Sequence, residues 1–310
     1  MPPSLFVARP PAARLPTWVG VRLALCAALG LPLISGCATP GTQAAARLPS
    51  RHQVRLDRLV VKSDFSISDD DPRIRELHDL RDEVRSTLLL PPQRRPVVVY
   101  LFQDEDRYSQ YMQAAFPNLP PRRAFFIGTP GELSVYAFWG EQVREDLRHE
   151  YTHGLLHASL EHVPLWLDEG LAEYFEVATQ DAARINIDHA EGLATMVANG
   201  WQPDLKRMEQ LEDVSEMQRA DYQEAWAWAH FLLSESDSGR ELLLAYMEEL
   251  QSPAPPPSLA DRIKAEFPSP EERLTAYIST FGAGVGRARV MLGQDPDAEE
   301  PLIQPAGASQ

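Results

Sequence analysis

The pentad His149-Glu150-Tyr151-Thr152-His153 constrains this chain more than any other feature, together with the apolar and acidic stretch Pro164–Glu176 that follows a short connector. On an α-helix, residues four apart differ by about 40° of rotation, so both imidazoles leave the same face. Such a pair can hold one Zn²⁺, while Glu150, about 100° round from His149, leans over the same cleft toward a metal-activated water. A second helix returning beside the first can bring a carboxylate as third ligand and leave a fourth position open. The competing reading is an amphipathic helix whose histidines are satisfied by core neighbours.

The pattern on either side places that helix at a junction. Val54, Leu56 and Leu59-Val60-Val61 suggest a strand. Asp71-Pro72 opens a helix carrying Ile74, Leu77, Leu80, Val84 and Leu88 at helical spacing, closed by Pro91-Pro92. The short apolar run Val97–Phe102 reads as a buried strand, and Asp104–Phe116 as a helix with acids in its first turn. Ala124–Ile127 and Leu133–Trp139 are two more strands, joined by the turn Gly128-Thr129-Pro130-Gly131. After Gly140 the pattern is helical: 141–160, 164–178, 181–198, 219–236, 238–251, 257–266 and 269–280. The expected class is α+β, with a small mixed β-sheet lobe over 51–140 and a mainly helical lobe over 141–290. Residues 291–310, rich in Pro and acids, read as a disordered tail.

The first 36 residues differ in character. They carry Arg9, Arg14 and Arg22, no acid, and an apolar run from Val19 to Ile34, the pattern of an export signal. The run ends in Leu33-Ile34-Ser35-Gly36-Cys37, which resembles a bacterial lipobox, so Cys37 is expected to be lipidated and to become the new N-terminus. An ordinary export signal or an uncleaved anchor is the alternative. Residues 37–50 then read as a flexible tether. Cys26 lies inside the signal, so the exported chain would contain no other thiol, and its core and any metal site must do without sulfur. Ala38 after the cysteine resembles lipoproteins sorted to the outer membrane; the expected location is the bacterial envelope, lipid-anchored and facing the periplasm. A formal charge of −16 argues against a nucleic-acid partner, which needs clustered Lys and Arg.

The His-Glu-x-x-His pentad followed by Trp166-Leu167-Asp168-Glu169-Gly170-Leu171-Ala172-Glu173-Tyr174 resembles the gluzincin zinc metallopeptidases over roughly 141–178. The resemblance implies a zincin-like fold and hydrolysis of a peptide or protein substrate with Glu150 as general base. It places His149, His153 and Glu169 as zinc ligands and Glu173 as an acid supporting a ligand histidine; exchange of the two glutamate roles is the alternative. The metzincin pattern does not fit, because its Gly and third His would fall on Leu156 and Ser159.

The same resemblance implies a Tyr or His from a downstream helix that steadies the oxyanion, with Tyr222 ranked first and His230 second. A core aromatic is the plain alternative for Tyr222. His157, four residues beyond His153, is expected to pack or to support a ligand. In the resembling families the strand before the active helix, here Leu133–Trp139, is a sheet edge that pairs with extended substrate; pattern alone equally permits an inner strand. A catalytically idle lipoprotein that keeps the fold to bind a peptide or envelope partner is the other function considered.

Overall fold

A computed structural model describes residues 47–178 and 184–281. The expected signal, the lipobox with Cys37 and the tail over 291–310 lie outside the described residues. The tether expected over 37–50 ends earlier than its composition suggests, since Leu48 packs against the lobe and Pro49 is buried. Among the described residues no helix is long and apolar enough to cross a membrane.

The chain opens with a hairpin where a single strand was expected. Asp57 adopts a left-handed conformation (φ 51°), which turns the chain between β1 (His52–Leu56) and β2 (Leu59–Ser63). Helix α1 (Pro72–Leu88) starts as its sequence predicts: Asp71 caps the Arg73 N–H, and Pro72 occupies the first turn, where no N–H is needed. β3 (Val97–Phe102), α2 (Glu105–Ala115), β4 (Ala124–Gly128) and β5 (Leu133–Phe138) complete the α/β part.

The five strands run in the order β1-β2-β3-β5-β4. β3 is parallel to both β2 and β5 and is buried along its whole length, which explains its unbroken apolar run. β1 and β4 are antiparallel to their single neighbours and form the two edges. The strand before the long helix is therefore an inner strand. The expected edge role fails for Leu133–Phe138, because β4 folds back antiparallel along it and takes the edge.

α3 (Val143–Ser159) and α1 cover one sheet face; α2 covers the other. Close approach of α3 to the sheet depends on Gly154, where an added Cβ would come within 2.7 Å of the Val97 side chain. α4 (Leu165–Glu176) returns beside α3 and is itself packed against α7 (Arg219–Ser234). Between these lie α5 (Ile187–Ala198), shorter than the expected 181–198, the single turn α6 (Leu205–Met208) and a 3₁₀ turn at Val214–Glu216. α8 (Asp237–Glu249), α9 (Leu259–Glu266) and α10 (Pro270–Ile278) finish the helical layer. One continuous core runs from Val54 through the sheet and helices to Phe281, so the two lobes are not separate bodies.

Candidate metal centre

α3 and α4 are unusual helices because their buried residues include charged ones. His149, Glu150 and His153 are buried on α3; Asp168, Glu169 and Glu173 are buried on α4. A buried carboxylate without a partner is costly, so each must find a positive or donating group. The α3–α4 packing supplies them. His149 Nε2 and His153 Nε2 lie 3.3 Å apart, and Glu169 Oε2 is 3.8 Å from the first and 3.7 Å from the second. These three residues form a group that could hold a metal ion.

The outer nitrogens are also engaged. His149 Nδ1 is 3.0 Å from Glu176 Oε2, and His153 Nδ1 is 2.9 Å from Asp168 Oδ1. The second Asp168 oxygen lies 2.9 Å from His157 Nε2, so the i+4 series from His153 does lead to a shared carboxylate. Such contacts fix which ring nitrogen faces the centre. Glu173, expected beside a ligand histidine, pairs with His189 Nε2 at 3.0 Å. It also belongs, with His149 and Glu176, to a second group of donors that could hold a cation. Glu176, Asp168 and His189 were not legible as site residues; Asp168 adjoins Glu169, and Glu176 lies one turn beyond Glu173, but neither matches a motif.

Electrostatics follow from this crowding. Burial works against protonation of His149, yet Glu169 and Glu176 outweigh it and hold its pKa well above the ordinary histidine value. Burial likewise opposes a charged His153, and Asp168 and Glu169 reverse that and raise it. Burial pushes the Glu150 carboxyl up, against the pull of His149 and His153. Glu150 is held from the sheet: its Oε2 accepts the backbone N–H of Phe126, on edge strand β4, at 2.6 Å.

A cleft of about 450 Å³ borders this centre at His149 and Glu150. Its lining also includes Glu173 and Glu176 of α4, Tyr108 and Met112 of α2, and the segment before β4. Tyr222 on α7 is buried, and its hydroxyl feels both Glu169 and Arg122; burial and Glu169 push its pKa far up. His230, the second-ranked oxyanion helper, is differently placed. It bonds the Tyr277 hydroxyl at 2.9 Å and is packed among Tyr174, Trp226 and Phe281.

Arg148, adjacent to the first histidine, also escaped sequence reasoning. Its guanidinium reaches the carbonyls of Phe175, Glu176 and Val177 at the end of α4, and Glu76 on α1 at 3.0 Å. It ties α3 to α1 and to the end of α4. No family model matches the chain, and no curated protein is significantly similar to it.

Proposed function

We propose that this protein is a zinc-dependent peptidase of the gluzincin kind, with a zincin-like fold, in which His149, His153 and Glu169 hold the metal. The observation that carries this reading is the triangle of two imidazole nitrogens and one carboxylate oxygen beside a cleft. Tetrahedral zinc with bonds of about 2.0–2.1 Å to nitrogen separates two ligand nitrogens by about 3.3 Å, and the nitrogens of His149 and His153 are 3.3 Å apart. The Glu169 oxygen, at 3.7–3.8 Å from them, would need to close by a few tenths of an ångström. The donor set lacks thiolate, which favours an open reactive site over a closed structural one.

Bound zinc would polarise the scissile carbonyl and acidify a water. The chain's own groups do the rest. Glu150, held by the Phe126 N–H, takes the proton of the attacking water and delivers it to the departing amine. Asp168 and Glu176 hold the two imidazoles in the orientation that presents Nε2 to the centre. Extended substrate would pair with the β4 edge, the strand nearest Glu150, in place of β5. Tyr222 is the candidate donor to the developing oxyanion, supported by its place beside Glu169. Export and a lipid on Cys37 would hold the protein at the bacterial envelope.

Two variants test the chemistry. Glu150→Gln should fold, retain zinc as the parent does, and lose roughly 10²- to 10⁴-fold in hydrolysis of a mixed peptide library. Tyr222→Phe should keep stability and lower kcat roughly 10²- to 10³-fold. A zinc-loaded parent that cleaves nothing in the library overturns the reading in favour of an idle binding protein. Unchanged turnover in Tyr222→Phe removes that residue from the mechanism.

A further inference from the structure

Two consecutive arginines precede β4 in the cleft wall, and the fold treats them oppositely. Arg123 grips Asp146 of α3 with Nε at 3.0 Å and Nη2 at 2.6 Å from the carboxylate. Arg122 also lines the cleft, but among the described residues it forms no ion pair, and its Nη1 is buried without a hydrogen-bond partner. Its guanidinium lies 5.9 Å over the Phe125 ring, which shields one side from water. It acts on two buried phenols: Tyr108, whose hydroxyl has no hydrogen-bond partner among the described residues, and Tyr222, whose hydroxyl Arg122 approaches closely enough to favour its ionised form. Those phenols also feel the reacting carboxylate Glu150 and the ligand carboxylate Glu169, respectively, so Arg122 sits close to the centre.

A guanidinium offers five donors in a rigid fork that matches a carboxylate, and leaving a buried donor unmet is costly. The rest of the cleft lining is rich in carboxylates (Glu105, Asp146, Glu150, Glu173 and Glu176), and its other arginine, Arg123, is already paired with Asp146. We propose that Arg122 is a specificity-determining residue that binds a carboxylate of the substrate, from a free C-terminus or an acidic side chain near the scissile bond. This rests on the peptidase reading for its substrate class and not for its binding chemistry.

The test measures equilibrium binding to zinc-loaded Glu150→Gln protein, so that hydrolysis does not intervene. The probe is a mixed-sequence hexapeptide pool in three matched forms: free C-terminal carboxylate, C-terminal amide, and amide with one fixed Glu. One of the two carboxylate forms should be held at least about 10-fold more tightly than the neutral amide, and which one identifies the source. Adding Arg122→Gln should weaken that form roughly 10- to 100-fold and leave the amide unchanged. Arg122→Lys, which keeps charge and loses the fork, should fall between, and melting temperatures of all variants confirm that they fold. Equal affinity for the three pools, no binding of any pool, or an equal loss across them in Arg122→Gln overturns the proposal. A protein that binds carboxylates through Arg122 but whose parent cleaves nothing refutes the peptidase reading alone; cleavage without charge preference refutes this one alone.

Discussion

Glu169, Glu173 and Glu176 recur at helical spacing along α4, and what separates them is the partner each meets. Glu169 faces both imidazoles, Glu173 meets His189, and Glu176 bonds the far nitrogen of His149. Glu169→Ala should therefore abolish tight zinc binding, whereas Glu173→Ala and Glu176→Ala should weaken it about 10- to 100-fold. Metal content after dialysis against a calibrated zinc buffer ranks them, and a greater loss for Glu173→Ala would make it the ligand. Glu224 on α7 offers a separate, pH-linked prediction. Its buried carboxyl accepts the Asp204 N–H at 2.6 Å, and burial pushes its pKa from 4.5 up to about 7. The folded state then binds more protons than the unfolded state between those values. Its contribution is full below about pH 4.5 and is lost as pH rises to about 7, by up to roughly 1.4 kcal/mol per unit. Glu224→Gln keeps an acceptor for Asp204 and removes the titration. Denaturant unfolding across pH 4.5–7.5 should show the variant gaining on the parent as pH rises; parallel curves would mean that Glu224 titrates normally.

At the scale of elements, the centre depends on how α3 and α4 are clamped. Arg148 binds the carbonyls that end α4, and the last of its residues, Glu176, turns its side chain onto His149. One contact set thus fixes the helix end and the proposed ligand His149 together. Gly170 lets α7 approach α4 from the other side, since a Cβ there would collide with the Ala225 carbonyl. Replacing Arg148 by Met would leave the Phe175 carbonyl buried without its donor and remove one of the two arginines on Glu76, which keeps Arg144. A loss of about 1–3 kcal/mol in unfolding free energy is expected. Zinc affinity should fall as well, because the α3–α4 register is no longer imposed. Calorimetric zinc titration of Arg148→Met that matched the parent would show that the register is held by apolar packing alone.

For the whole molecule, the unbroken core from β1 to Phe281 packs the sheet and the helices that carry the centre into one unit. Among the described residues no helix is long and apolar enough to cross a membrane, and the lipid attachment expected at Cys37 lies outside them. If Cys37 carries acyl chains, each buried CH₂ contributes about 0.8 kcal/mol to anchoring. Cys37→Ser should block processing or release the protein into the soluble envelope fraction. A processed Cys37→Ser protein that still sediments with membranes would dismiss lipid anchoring.

Local pattern determined a good deal. That His149 and His153 share a helix face follows from their spacing, and the Asp71-Pro72 start of α1 and the buried run of β3 were readable because capping and periodicity act over a few residues. Helix ends and the β1–β2 hairpin were less so, since one left-handed residue, Asp57, can turn a chain that pattern reads as continuous. Only the tertiary structure decided the rest. Strand order is non-local, so nothing in Leu133–Phe138 could show that β4 would cover its flank and become the edge. Helical spacing lets Glu169, Glu173 and Glu176 all approach α3, and only the packing angle assigns each to a histidine. Arg122 and Arg123 are neighbours in sequence and identical in type. Asp146 lies where it can neutralise one of them and not the other, because contacts between distant segments depend on how their surfaces meet.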